Sequence, residues 1–428
     1  MLGDIKAWSR SPGAQRLGLY FVFVAYSLFR YWHAPGNDLS SSYFACRLLA
    51  NGDGGHIYDF HPTLFNVVDT PAWITAASNA HFTGLLHPYV QTPLWAWGLQ
   101  PLCTNLSFGA FSTVFLCAAL LSLAVTIEIV ARTWADKFLQ PKVLAILLLA
   151  VVVSTPFQYA MWLVQTHALF LMAAVLALYL AERDRPIWAG ALLAVACAVK
   201  ITPGLLLIHW LIGGRRHAAL WFIVCSLALA VLTPAAVGIG LTLDYVQSMR
   251  RVSNVLLVSF NNQSLAAWLG YSQSISSEIG RWFMLPLTPA LKAVCMVASI
   301  ASVVFSGWMS RRHERAGAAA AFALIGITLF SPIAWTHYFL CVIPAVMVLT
   351  NAGGMWPLAI ALVTVVLNSV PVAVDPIAPA LLSVTVVRSH FISAVILLAA
   401  LAVRWPVGGV RERQTLEAGS GQHQFSGQ

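Results

Sequence analysis

Apolar residues run along this chain in long blocks, and polar residues appear mainly where the blocks stop. The blocks are centred in 17–32, 107–131, 143–156, 160–181, 187–199, 203–213, 218–238, 292–309, 316–333, 337–351, 355–373 and 384–404. A helix of roughly 17–25 apolar residues crosses the hydrocarbon of a bilayer, and shorter ones do so only when neighbours bury them. Backbone groups inside lipid must be paired within the segment, so helices are the form these blocks take. The pattern predicts an all-α integral membrane protein, a bundle of about twelve (10–13) transmembrane helices. It forms one polytopic domain over 1–404, followed by a disordered cytoplasmic tail over 405–428 of Gly-Ser-Gly-Gln character. Two blocks are too short to cross alone, which predicts a hairpin over 187–213 bent at Lys200-Ile201-Thr202-Pro203, where the proline breaks the helix. Residues 90–104, between Pro93 and Pro101, fit either a span or a helix lying on the surface.

Composition and charge sharpen the picture. Hydrophobic residues make up 59% and charged ones 9%, against about 25% charged in a soluble domain. The net charge of +9 would suggest nucleic acid in a soluble chain. Here the cations gather at block ends, as Arg132/Lys137/Lys142, Arg183/Arg185, Arg215/Arg216, Arg311/Arg312/Arg315 and Arg404/Arg411/Arg413. That arrangement marks cytoplasmic turns and lipid headgroups, and no nucleic-acid partner is implied. Lys6, Arg10 and Arg16 precede the first block, so both termini are read as cytoplasmic in a cell membrane. The first block lacks a cleavage site and ends in Tyr31-Trp32-His33, an interfacial anchor, so it is read as retained. The seven cysteines show no C-x-x-C or metal spacing, and no disulfide framework is expected.

Two large extracytoplasmic loops follow from this parity, 33–92 and 239–291. The first holds Asp38, Asp53, Asp59, Asp69 and five histidines, with Arg47 its only cation. Asp38 stands at the mouth of the first span. The second carries Arg250, Arg251 and Arg281 against the positive-inside tendency, as an anionic substrate would require. Its stretch from Asp244 to Leu269 has near-helical spacing suited to a helix half sunk in the interface. Gln165, Lys200, Asn261, Asn262, Gln263 and His337 fall on the same side as Asp38. Polar groups in apolar blocks are costly and mark functional paths. Lys200 snorkelling to the interface and His337 in an aromatic belt are the plainer alternatives.

Together these residues resemble glycosyltransferase family 87. The resemblance rests on the acid after the first span, the Lys200-x-x-Pro203 turn, Asn261-Asn262-Gln263-Ser264, and Ser331-Pro332-x-x-Trp335-x-His337-Tyr338, in that order over about residues 36–340. It implies a GT-C-like membrane enzyme, with polyprenyl-phosphate-mannose-dependent mannosyltransferases and arabinofuranosyltransferases among its members. It places Asp38 at the family's essential acid and His337 at its late-loop histidine. The chain departs from the family where Val164-Gln165 replaces Gly-Gln and where Tyr89-Val90-Gln91-Thr92-Pro93-Leu94 replaces a Tyr-Pro-Pro-Leu-like segment.

The implied reaction transfers a sugar, mannose or a pentose, from a polyprenyl-phosphate donor to a lipid-linked or cell-envelope glycan acceptor on the outer face, with inversion. Asp38 would take the acceptor proton, and His337 would share that role or bind the phosphate. Lys200, Arg250 and Arg251 would meet the leaving phosphate. Asn261, Asn262 and Gln263 offer amides to sugar hydroxyls, and Gln165, Trp335, Tyr338 and Tyr89 complete the candidate binding set. No Asp-x-Asp occurs, and no metal or cofactor is expected. Asp53, Asp59, Asp69, His56 and His61 match no metal spacing and are read as solvated. A secondary transporter or lipid flippase would need discontinuous spans at mid-membrane, and a lipid-linked oligosaccharide ligase or polymerase would use a diphosphate donor.

Overall fold

The computed structural model describes residues 11–59, 67–259, 261–274, 283–370 and 388–403. It is an all-helical membrane protein with one small pair of strands. Most of each apolar block within the described residues becomes helix, with breaks at Ser154 and over 163–166. The first is α1 (Pro12–Tyr31), opened by Pro12 and by Ser11, whose hydroxyl accepts from Ala14 N at 3.2 Å. A short α2 (Asn37–Ala50), α3 (Pro71–Asn79) and α4 (Pro93–Cys103) follow. Then come α5 (Phe108–Thr133), α6 (Pro141–Val153), α7 (Thr155–Trp162), α8 (His167–Glu182) and α9 (Pro186–Val199). Further along lie α10 (Leu206–Gly213), α11 (Arg216–Val237), α12 (Ile239–Val252), β1 (Val255–Val258) and α13 (Leu265–Ser274). The chain continues through β2 (Phe283–Pro286), α14 (Pro289–Ser310), α15 (Ala316–Leu329), α16 (Val342–Ala352), α17 (Met355–Ser369) and α18 (Ser389–Ala402).

Among the described residues, three helices, α5, α11 and α14, are each long and apolar enough to cross a membrane, and α6 with α7 makes a fourth candidate bent by 62°. Six of the other expected spans fall on shorter apolar helical stretches of 10–17 residues, whereas the first falls on the 20-residue α1 and the block 316–333 on the 14-residue α15. The core centres on α15, whose small residues are buried around the whole helix. A Cβ on Gly326 would collide with Ser302 of α14, and one on Gly317 with Trp134. Small residues permit this close backbone approach, the means by which helices pack without a hydrophobic drive between them. Glu128 of α5 pairs with Arg132 at 2.6 Å and Arg16 at 3.5 Å and accepts from Tyr20 Oη at 3.1 Å, tying α1 to α5.

The structure adds detail where the sequence pattern was coarse. The break at Lys200 is present: α9 ends at Val199, Lys200 is extended, and a 3₁₀ turn at Thr202–Leu205 leads into α10. α10 then packs chiefly on α14 rather than back along α9. The helix α4 has 11 residues, about 16 Å of rise, too short to cross a bilayer alone. The helical stretch expected over Asp244 to Leu269 is interrupted: α12 and α13 are separated by β1, which pairs antiparallel with β2. Val255, Leu256, Leu257 and Val258 supply the β-branched and apolar residues that favour a strand there.

One expectation is corrected. Cys46 of α2 and Cys103 of α4 form a disulfide across 57 residues, with their Cα atoms 6.4 Å apart. Cysteine spacing does not encode pairing of distant positions; folding of the polar segment back onto α4 does. Arg47 reinforces the join by donating to Cys103 O at 3.2 Å. His61, Arg281, Arg404 and the tail over 405–428 lie outside the described residues.

Candidate active site

Asp38 lies in the first turn of α2, where the helix dipole favours negative charge. Gly36 caps that helix in the left-handed region, at φ 60°. A Cβ there would stand 3.1 Å from Ser112 Oγ and 3.3 Å from Phe108 Cζ, so a glycine is needed for both space and conformation. Facing it is Val164, itself left-handed at φ 50°, which closes the turn between α7 and α8. A branched residue in that region costs on the order of 1–3 kcal/mol and persists where the surroundings dictate it. The next residue is Gln165, whose Nε2 donates to Asp38 Oδ2. The other carboxylate oxygen, Oδ1, lies 2.7 Å from His87 Nδ1.

Around this carboxylate stand Lys200, Tyr338, His337 and His167. Asp38's charge acts on both Lys200 and Tyr338. Lys200 Nζ sits 3.1 Å from the centre of the Tyr338 ring, and His167 stacks on the same ring at 4.7 Å with 13° between planes. His337 meets Tyr338 edge-on at 4.7 Å. Its Nε2 is buried without a hydrogen-bond partner among the described residues. The hydroxyl of Thr92 donates to Ala198 O, tying the segment before α4 to the end of α9 beside Lys200. Beyond Lys200 a pocket opens between α8, α10 and α15, apolar along Phe170, Leu171, Leu206, Leu324 and Ile327 and polar where Lys200, His167 and Tyr338 close it.

His337 is held by a hydrogen-bonded seam between two distant segments. Gln263 N donates to Ala334 O at 2.7 Å, Thr336 N to Asn261 O at 2.8 Å, and Asn262 bridges Trp335. The Asn262 side chain donates to Leu257 O at 2.7 Å and accepts from Ala334 N at 2.8 Å. Asn261 Oδ1 accepts from Ser259 Oγ at 2.7 Å, and Gln263 Oε1 from Phe391 N at 3.4 Å. These three residues are buried, and each has at least one side-chain polar atom hydrogen-bonded within the chain, beside Trp335 and His337. Arg388, 1% exposed, secures the seam by donating to Asn262 O at 2.7 Å and Ala267 O at 3.3 Å.

The remaining candidates sit apart. Arg250 and Arg251 are exposed on the last turn of α12, which packs on α11, α4 and the Gly54–His56 turn. The Tyr89 hydroxyl donates to Thr92 O at 2.6 Å and accepts from Ala96 N at 3.0 Å, so it caps α4. Trp335 is half-buried beside the seam. His56 pairs with Asp59 at 2.9 Å. The sequence reading singled out neither His87, His167 nor Arg388. His87 belonged to the polar segment, but nothing in its spacing pointed to Asp38.

Comparison with known proteins decides the family. The model for Glycosyltransferase family 87 matches residues 89–332. The chain belongs to that family. The matched range holds Gln165, Lys200 and the Asn261–Ser264 segment, and folding brings Asp38 and His337 to them from either side of it. Over 308 residues, 66% of this chain, it is 26% identical to a polyprenol-phosphate-mannose-dependent alpha-(1-2)-phosphatidylinositol pentamannoside mannosyltransferase of Mycobacterium tuberculosis (strain CDC 1551 / Oshkosh). The match spans 66% of that relative's length. No solved structure matches the chain.

Proposed function

We propose that this protein transfers a sugar, mannose in the leading case, from a polyprenyl-monophosphate carrier to a lipid-linked or cell-envelope glycan, inverting the anomeric centre. The observation that carries the proposal is Lys200, its Nζ 3.1 Å from the centre of the Tyr338 ring, at the polar end of a pocket otherwise lined by apolar side chains. A lipid phosphate presents the same division, an isoprenoid chain and an anionic head. Membership of glycosyltransferase family 87 and the mannosyltransferase activity that the mycobacterial relative is named for support the same chemistry.

In the displacement, Asp38 accepts the proton of the acceptor hydroxyl as that oxygen bonds to the anomeric carbon. The bond from that carbon to the phosphate oxygen breaks, and the polyprenyl monophosphate leaves with the electron pair. Lys200 offsets the charge that develops on the phosphate, in a setting where water is scarce and a fixed charge acts strongly. His337 Nε2, without a partner among the described residues, is assigned to the phosphate, or to sharing the proton with Asp38. Arg250 and Arg251 are assigned to the approach of the anionic head, not to the reacting atoms.

The site faces the outside of a cell membrane and both termini are cytoplasmic. The cation pattern supports this placement, as does the Cys46–Cys103 disulfide beside Asp38's helix, since disulfides persist in oxidising compartments. Purified protein given a synthetic short-chain polyprenyl-monophosphate sugar in excess chelator tests the reading. Turnover with an inverted product is expected. Strict dependence on a divalent metal, or turnover with a nucleotide sugar alone, would reject it.

A further inference from the structure

One histidine of the acidic segment touches the base directly. His87 Nδ1 lies 2.7 Å from Asp38 Oδ1, and the two side chains are 21% and 19% exposed. An ionised carboxylate only accepts hydrogen bonds, so the ring nitrogen facing it carries the hydrogen. Gln165 donates to the other oxygen from the turn before α8. The carboxylate is therefore gripped by one donor on each oxygen, from two elements far apart in sequence.

We propose that His87 is the positioning residue of the catalytic carboxylate: it fixes the plane of the Asp38 carboxyl group so that a free lone pair faces the acceptor hydroxyl. The inference rests on Asp38 being the base. A terminal carboxyl torsion is broad and two-fold on its own, whereas a base must stand within about 2.6–3.2 Å of the proton it removes. Two donors at opposite oxygens restrict that torsion; one donor leaves it a hinge.

The backbone around His87 is anchored as a fixed support requires. Leu86 O, immediately before it, accepts from Val68 N at 2.9 Å. Two residues after His87, Tyr89 is locked to Thr92 and Ala96. The other charged or titratable groups in reach are Lys200 and Tyr338 toward Asp38 and His337 toward His87. Among the described residues, none of these groups hydrogen-bonds to the carboxylate oxygens.

The test compares His87→Ala, His87→Asn and His87→Gln in the purified full-length protein, with a synthetic polyprenyl-monophosphate mannose. An asparagine amide can occupy the position of Nδ1 and donate without titrating; a glutamine amide reaches the position of Nε2. Misplacing a reacting group by about 1 Å can cost on the order of 10²-fold in rate. His87→Ala is expected to lose that much kcat with an unchanged donor KM. His87→Asn is expected to recover most of it, and His87→Gln little. Unchanged kcat in His87→Ala, a rise in KM alone, or equal turnover in the Asn and Gln variants would overturn the proposal. Thermal melting of each variant reports folding, and if the alanine variant is unstable the Asn and Gln pair decides. Asp38→Asn run in parallel separates the two readings: retained turnover there defeats the base assignment itself. An inactive Asp38→Asn beside a fully active His87→Ala defeats only the role of His87.

Discussion

Lys200 Nζ stands over the Tyr338 ring, 3.1 Å from its centre, at the point where the chain breaks between α9 and α10. The aromatic face gives the ammonium an electrostatic partner in a site with little water. Asp38 adds its negative charge from the other chain segment. On the proposed reading Lys200 is the group that meets the anionic head of the donor. Lys200→Ala should weaken use of the lipid-phosphate donor by about 2–5 kcal/mol in kcat/KM if the contact is desolvated, and by less if it is wet. Steady-state kinetics over donor concentration check this. Wild-type kcat/KM in a folded Lys200→Ala protein would remove Lys200 from the phosphate site.

Asp38→Asn keeps the shape of the side chain and removes its ability to take a proton. A positioned base contributes about 10²–10⁴-fold, so kcat should fall by that order while donor binding persists. Near-normal turnover would transfer the role to His337. Donor affinity measured on the inactive variant separates chemistry from binding.

The seam that holds His337 should respond differently. Asn262→Ala removes the acceptor for Ala334 N and the donor to Leu257 O, both within the buried seam. A buried group left unpaired costs about 1–3 kcal/mol. A lower melting temperature with a parallel loss of kcat is expected. Lost sugar affinity with unchanged stability would instead restore the Asn262 amide as a sugar contact.

His87 makes the stability depend on pH. Burial is the largest influence and pulls its imidazole down, but the charge of Asp38 and the hydrogen bond to it together outweigh burial and leave it raised above the ordinary histidine value. A raised folded value means that the stabilisation is fully present below the unfolded value, about 6.5, and fades as pH climbs through the folded value. The melting temperature should therefore decline as pH rises above neutrality, and His87→Asn should flatten that slope. An unchanged slope in the variant would assign the effect to another group.

The Cys46–Cys103 disulfide closes a long loop, and removal of such a link typically costs about 2–4 kcal/mol. Cys46→Ser with Cys103→Ser should lower thermal stability and loosen α2 against α4. External thiol-specific reagents should label the reduced pair in intact cells. Labelling only after permeabilisation would overturn the outward placement of Asp38.

Much of this was legible along the chain. Apolar blocks specify helices because period and length are local properties, and most of each block in the described residues is helical. The Lys200-Pro203 break was readable because proline removes a backbone donor wherever it falls. The polar residues Asp38, Gln165, Lys200 and His337 announced themselves because lipid makes polar groups costly. Those same rules name candidates without stating who touches whom.

Tertiary structure alone decided the contacts and so the division of labour. Asn261, Asn262 and Gln263 looked like sugar-binding amides, yet strand-like pairing with 334–336 engages them within the chain. The Tyr89 hydroxyl accepts from Ala96 N at the start of α4. His87 and Gln165 reach Asp38 from 49 and 127 positions away, and Cys46 meets Cys103. Sequence determines which groups are costly to bury, because that is a property of each side chain. Which partner satisfies each one depends on packing between segments distant along the chain, and only the fold brings those segments together.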